Sequence, residues 1–287
     1  MKETYMVVKN GKITLKIKQS NAQKYIDLGD RGRFCINNKL NDLTGKEWIK
    51  ETKSWFILRP KRRTEDVLLH PAKFPESLVE KYISFFTKKG QMVLDPMAGT
   101  GTVNYICEKL ERIGFSIELE QKYYEIGKSR SNQHFYLGDC KNIEHFKIPE
   151  VDYIITSPPY WDSLKRNSLR QRKRKEDGLD TEYSTDEKNF ENIENYEDFL
   201  SQLVDFYKKL KRWLKKKGYM TIIVNNIYKN GKLYPLAFDL ASELGKYYIL
   251  KDERIWCQDD KPLIALGVNS AYVGNRHHIY CLIFRNE

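Results

Sequence analysis

The chain has 287 residues, of which 40% are hydrophobic and 31% charged, with a formal net charge of +11. That length gives one large domain or two small ones with a substantial core, and no apolar run reaches the roughly 18 residues that a membrane span needs. The N-terminal stretch MKETYMVVKNGK lacks the apolar core and small-residue cleavage site of a signal peptide, so a cytoplasmic protein that binds no membrane is expected.

Residues 1–63 carry 16 Lys and Arg against 6 Asp and Glu, so +10 of the charge lies in the first fifth of the chain. Polar and apolar residues alternate there between turn signals (KNGK, LGDRGR, NNKLND). ITLKIK reads as a strand, and LTGKEWIKETKSWF as a short helix opened by a Thr cap. Residues 1–64 are therefore expected to form a small basic module of their own, and 65–287 a second domain.

From residue 74 the pattern changes. FPESLVEKYISFF has helical apolar spacing, QMVLD is a short buried strand, AGTGT a turn and VNYICEKL a helix. FSIELE, HFYLGDC and VDYIITS read as further strands, with QKYYEIGKSRSNQ a helix after the first. Residues 165–198 form a charged insert, in which the basic KRNSLRQRKRK is followed by an acidic stretch. YEDFLSQLVDFYKKLKRWL is a long amphipathic helix, GYMTIIVNN a strand, YPLAFDLASELG a helix, and YILKDERIWC and IYCLIFRN two closing strands with no helix between them. Strands alternating with helices predict an α/β fold whose mostly parallel sheet is covered on both faces and closed by an antiparallel strand. The five cysteines, at 35, 107, 140, 257 and 281, form no C-x-x-C pair and no Cys/His cluster, so neither a zinc site nor a disulfide framework is expected. His277 and His278 are adjacent on a strand and face opposite sides, which does not make a metal site.

In VLDPMAGTGTVNYICEKL a strand runs into Asp95, then a glycine turn, then a helix. Gly99 and Gly101 permit a sharp turn and close approach of a ligand to the main chain, and ligands of open α/β sheets sit at the carboxyl ends of the strands. The turn lacks the Lys-Ser/Thr of a phosphate-cradling loop, which disfavours ATP. Glu118 ends the next strand, where a carboxylate accepts hydrogen bonds from both hydroxyls of a ribose; with the glycine turn this predicts an adenosine-containing cofactor. Asp139 in YLGDC ends the third strand and can accept from an adenine amino group. TSPPY ends the fourth, so Ser157, Pro158, Pro159 and Tyr160 share the rim. The Ser157 hydroxyl and the Pro158 carbonyl can accept from an exocyclic amino group, and Tyr160 can stack on a planar base. The alternative for each of these is ordinary: a solvated strand-end acid, or a turn with a packed tyrosine. Four on one rim in order favour the site.

DPMAGTGT, TSPPYW, the preceding HPAKFPESLVEKYISFF and the closing HIYCLIFRN together resemble the amino-group DNA methyltransferases, the cytosine-N4 and adenine-N6 type with an SPPY motif. The resemblance covers about 65–287 and implies a Rossmann-like methyltransferase fold of seven strands and S-adenosyl-L-methionine as cofactor. It implies a cofactor site of Phe74, Asp95, Pro96, Met97, Ala98, Gly99, Thr100, Gly101, Thr102, Glu118, Asp139 and Cys140, with Met97 where the family often has Phe. The catalytic motif is Ser157, Pro158, Pro159 and Tyr160. Its serine is the residue that cytosine-N4 enzymes usually carry, where adenine-N6 enzymes more often have Asp or Asn; a hydroxyl offers both a donor and an acceptor, so either amine fits. The implied partner is double-stranded DNA with its target base flipped, which costs a few kcal/mol. A cognate restriction endonuclease, association with the nucleoid, and a monomer or homodimer go with it. Trp161, Lys165, Arg166, Arg172, Lys173, Arg174 and Lys175 are expected to contact the nucleic acid, and residues 1–64 to recognise the target. An RNA guanine-N2 methyltransferase and a non-catalytic nucleic-acid-binding protein are the other readings. The first usually has Asp before PPY and carries an N-terminal RNA-binding module that 1–64 does not resemble; the second leaves the complete rim without a purpose.

Overall fold

The computed structural model describes residues 2–9, 12–19, 25–60, 70, 74–159, 161, 175–180 and 190–287. The chain divides into two compact units, Met1–Thr52 and Lys53–Glu287.

In the first unit β1 (Lys2–Lys9) and β2 (Lys12–Gln19) form an antiparallel hairpin closed at Lys9 and Lys12. A second short antiparallel pair joins β3 (Tyr25–Asp27) to β4 (Arg33–Cys35). Helix α1 (Gly45–Glu51) starts where the Thr cap was expected: the Thr44 hydroxyl accepts from the Glu47 N–H and the Glu47 carboxylate accepts from the Thr44 N–H, a reciprocal box that satisfies two end donors. The Arg31 guanidinium grips the same carboxylate through two nitrogens, at 2.8 and 3.1 Å, and holds its pKa down at about 2.

The second unit is built on eight strands: β5 (Trp55–Ile57), β6 (Met92–Asp95), β7 (Ile113–Glu118), β8 (His134–Leu137), β9 (Val151–Thr156), β10 (Leu214–Val224), β13 (Ile249–Cys257) and β14 (His278–Arg285). A separate hairpin of β11 (Ile227–Lys229) and β12 (Lys232–Tyr234) follows β10. The sheet order is β5-β13-β14-β10-β9-β6-β7-β8. All neighbours pair in parallel except β14, which is antiparallel to both β10 and β13. This is the expected mostly parallel methyltransferase-type sheet with an antiparallel strand near its end, with one strand more than expected.

The extra strand is β5, and it moves the domain boundary from 64/65 to 52/53. Phe56 packs edge-on against Tyr82, the Arg254 guanidinium lies 4.9 Å over its ring, and the Trp256 indole donates to the Leu58 carbonyl at 2.9 Å. Three strand residues between KS and LRP carry too little alternation to be read as part of a sheet whose partner lies some 200 residues on.

Helices α2 (Glu76–Phe86), α3 (Thr102–Lys109) and α4 (Gln121–Arg130) pack in sequence on one face, and α5 (Tyr196–Lys209) and α6 (Leu236–Leu244) on the other. The strand alternation sorts the core between them. Leu94, Ile154, Ile222 and Leu282 join the buried cluster that includes Phe199, Leu203 and Leu240 of α5 and α6. Tyr153, one residue out of phase, instead stacks on Phe86 of α2 at 5.1 Å and donates its hydroxyl to Thr221 at 2.7 Å. Burial on both faces explains the near-continuous apolar runs of β6, β9 and β10.

Strands β6, β7 and β8 lie side by side in chain order, and the chain then returns to place β9 on the other side of β6. The strand order reverses at this point. A crevice opens there beyond the carboxyl ends of the strands, the usual ligand site of an open α/β sheet.

Candidate active site

Strands β6 to β9 each end in a group at or beside this crevice. Asp95 ends β6 almost fully buried. Its Oδ1 accepts from the Met97 N–H at 3.1 Å, which starts the turn. Burial pushes its carboxyl up to about 7, partly offset by the Met97 N–H and the Thr156 hydroxyl.

The turn needs its glycines. Gly99 (φ 52°) and Gly101 (φ 72°) are left-handed, and Gly101 is the cap of α3. A β-carbon on Gly99 would lie 3.0 Å from His70 Nε2, and one on Gly101 2.9 Å from the Gly127 Cα. The turn is thus pressed between a histidine from the segment before α2 and the backbone of α4.

Glu118 ends β7 and faces the crevice at 8% exposure. Its Oε2 accepts from Gly99 N–H at 2.7 Å and its Oε1 from Glu120 N–H at 2.8 Å, so both oxygens are aimed while each keeps a lone pair free. Burial raises its pKa to about 7 against these two donors, with Asp95 and Glu120 adding to the rise. At the end of β8, Asp139 accepts from Lys141 N–H at 2.9 Å through Oδ1 and caps a short 3-10 turn, Cys140–His145. At the end of β9, Ser157 and Pro159 line the crevice and Pro158 is buried behind them.

The crevice has an empty volume of about 850 Å³, counting its mouth, within the range of small-molecule sites. Of the expected residues, Phe74, Pro96, Met97, Ala98, Gly99, Thr100, Thr102, Glu118, Asp139, Cys140, Ser157 and Pro159 line it. Asp95 and Gly101 support the turn from outside the lining. Tyr160, Lys165, Arg166, Arg172, Lys173 and Arg174 lie outside the described residues, and Lys175 is exposed.

Trp161 is a correction. It was expected to meet nucleic acid, but it is only 3% exposed and belongs to the core. Its indole N–H donates to the Ile193 and Glu194 carbonyls, at 2.9 and 3.2 Å. The Tyr196 and Tyr234 rings pack against it at 5.3 and 4.8 Å, and the Lys229 ammonium sits 4.1 Å over its ring. A ring so enclosed anchors the end of the TSPPYW segment. His70, Glu120, Tyr123 and Phe190 also line the crevice and were not singled out from sequence. His70 lies in the quoted segment before α2, so its motif was visible; the others come from a helix, a loop and the end of the insert, with no pattern of their own.

A family model described as DNA methylase matches residues 2–129 and 151–285. The chain belongs to this family of DNA methylases. Among curated relatives, the type II methyltransferase M.HpaI of Haemophilus parainfluenzae is 39% identical over 66 residues, covering 23% of this chain and 21% of that protein. M.BglI of Bacillus subtilis, another type II methyltransferase, is 33% identical over 118 residues, covering 40% and 32%. The matches thus span between a fifth and a third of these relatives' length. Among solved structures, a TehB-like SAM-dependent methyltransferase from Corynebacterium glutamicum aligns over 74% of this chain and 87% of its own at 12% identity (TM-score 0.41). A methyltransferase from Pyrococcus furiosus aligns over 74% and 83% at 14% identity (TM-score 0.43).

The cofactor of this methylase is S-adenosylmethionine, and the lining fits it. Glu118, Glu120 and Asp139 give the crevice three carboxyl groups, and among the described residues its lining has no Lys or Arg. Such walls repel the phosphates of a nucleoside triphosphate or a dinucleotide and suit an adenosine that carries a sulfonium and an ammonium. Glu118 would hold the ribose hydroxyls and Asp139 the adenine amino group, while Phe74, Met97, Ile117 and Phe190 supply apolar surface. Among the described residues no helix is long and apolar enough to cross a membrane.

Proposed function

We propose that this DNA methylase transfers a methyl group to an exocyclic amino group of a base in duplex DNA, with cytosine N4 as the acceptor. The observation that carries this is the meeting of two kinds of group in one crevice: the carboxylates of β7 and β8 that suit adenosine, and Ser157 with Pro159 from β9 that suit an amine.

Bound there, S-adenosylmethionine supplies an electrophilic methyl group. The chain's own part is positioning. An amine conjugated to a ring is a weak nucleophile, so its reaction depends on being held in line in a water-poor site. The Ser157 hydroxyl and the Pro158 carbonyl accept its two N–H groups and turn the lone pair out of conjugation. Pro158 and Pro159 have no N–H and a fixed φ, so this carbonyl is presented by a rigid turn. Trp161, locked in its aromatic box, fixes the chain just beyond Tyr160, whose ring stacks on the flipped base. No cysteine nucleophile is called for, and Cys140, on the crevice wall, has its thiol pushed far up by burial. The cations at 165–175 follow the catalytic motif in sequence, and phosphates beside the flipped base are the partners proposed for them. Serine at 157 is what favours cytosine over adenine.

The test is to incubate unmethylated plasmid DNA with the protein and S-adenosylmethionine, digest to nucleosides and analyse by mass spectrometry. N4-methylcytosine is expected. N6-methyladenine would move the acceptor to adenine, and no methylated nucleoside would overturn the reading.

A further inference from the structure

Asp180 comes from the charged insert that separates the catalytic motif from α5. It reaches the wall of the cofactor crevice. The Tyr123 hydroxyl donates to its Oδ2 at 2.8 Å, and the Lys122 ammonium donates to both of its oxygens, at 2.8 and 2.7 Å. These partners lie 57 and 58 residues earlier, in the first turn of α4.

Tyr123 lines the crevice and is part of a column. Its ring meets His70 edge-on at 4.4 Å. His70 is 7% exposed, and its Nε2 lies 3.0 Å from where a Gly99 β-carbon would be. Gly99 in turn donates its N–H to Glu118. Asp180, Tyr123, His70, Gly99 and Glu118 thus form an unbroken run of contacts from the insert to the group that takes the ribose. The Tyr123 hydroxyl is partly buried, and Asp180 is the acceptor that satisfies it there.

From this run of contacts we propose that Asp180 is a positioning residue of the cofactor site, and that through it cofactor binding and DNA binding are coupled. The inference rests on the function proposed above. It adds that the Asp180–Tyr123 bond ties to the cofactor wall the described residues 175–180, which begin with Lys175, the last cation of the basic run. Phosphates drawn to the cations at 165–175 and a ligand in the crevice then act on one shared contact. Coupling of this kind is reciprocal: DNA must change cofactor affinity by the factor by which cofactor changes DNA affinity. The Lys122–Asp180 ion pair, its lysine half exposed, contributes little by itself.

The experiment is calorimetric titration of the full-length protein with S-adenosylhomocysteine, with and without plasmid DNA. Wild type, Asp180→Asn, Tyr123→Phe, the double variant and Lys122→Ala are compared, each checked for an unchanged thermal midpoint. Loss of one partly buried hydrogen bond is expected to weaken binding about threefold to tenfold in Asp180→Asn and in Tyr123→Phe. The double variant should be no weaker than the weaker single one, since both remove the same contact. Lys122→Ala should stay within about twofold of wild type. DNA should shift the wild-type affinity and shift Asp180→Asn less. Unchanged affinity in both single variants, or effects that add in the double, would overturn the positioning role. An equal DNA shift in wild type and Asp180→Asn would overturn the coupling. A wild type that does not bind S-adenosylhomocysteine at all would overturn the proposed function and this inference with it.

Discussion

Glu118 shows at the scale of one residue how a carboxyl group facing a crevice is oriented. Its two oxygens are aimed by backbone N–H groups, yet burial pushes its pKa to about 7, as it does that of Asp95. A carboxyl whose folded pKa is raised stabilises the fold at low pH and loses that contribution as pH rises through the folded value. The cofactor-free protein should therefore lose stability through these two groups between about pH 4.5 and 7. Ribose hydroxyls donate best to the ionised carboxylate, so affinity for S-adenosylhomocysteine should rise over pH 6–8. Glu118→Gln should flatten that rise and weaken binding about tenfold at pH 8; calorimetry at pH 6 and 8 measures both. Trp161 makes the opposite point, since its place after a base-binding motif suggested an exposed ring. Its N–H and faces are spent on Ile193, Glu194, Tyr196 and Tyr234. Trp161→Ala should cost about 3–5 kcal/mol in a denaturant titration, the cost of truncating a core aromatic.

Among the elements, α4 is held against β8 by a missing side chain. A β-carbon on Gly127 would lie 1.9 Å from Phe135 Cε1, well inside contact distance. Gly127 itself supports the turn through its Cα, 2.9 Å from where a Gly101 β-carbon would be. Gly127→Ala should therefore push α4 away from β8 and strain the cofactor turn as well. A loss of about 1–3 kcal/mol in stability is expected, the usual cost of overpacking, together with weaker cofactor binding; thermal denaturation with and without S-adenosylhomocysteine checks the two. By helix propensity alone a glycine at this position is unfavourable, so its value lies in the contact. The β11–β12 hairpin was also missed as an element, although its turn residues Asn230 (φ 50°) and Gly231 (φ 77°) are the pair that a tight hairpin selects. Its strands are three residues each, too short for alternation to register.

For the whole molecule, the division at Thr52/Lys53 has a direct consequence. Removing residues 1–52 leaves β5 paired with β13, whereas removing 1–64 strips an edge strand and exposes Arg254, which is 4% exposed and lies over Phe56 and Tyr82. The shorter truncation should keep a cooperative thermal transition and bind S-adenosylhomocysteine. The longer one should melt lower by several degrees, since a loss of about 1 kcal/mol moves a domain of this size by roughly 2–4 °C. Equal midpoints for the two would show that β5 contributes nothing to the larger unit.

Sequence alone determined the parts whose chemistry is local. Periodicity marked α2, α5 and the buried strands, because a helix or strand must turn its apolar residues to one side or bury both. Glycines marked the cofactor turn because left-handed backbone excludes other residues, and the order of Asp95, Glu118, Asp139 and Ser157 marked one rim because parallel strands end on one side. What depended on contacts between distant residues was decided only by the tertiary structure. The pairing of β5 with β13, the burial of Trp161, and the placing of His70, Tyr123 and Phe190 on the crevice wall join positions far apart in the chain. Asp180 on Tyr123 is the same case: a hydrogen bond across 57 residues leaves no period, spacing or turn residue behind it. Only the packing of the sheet and its helices brings the two groups within reach.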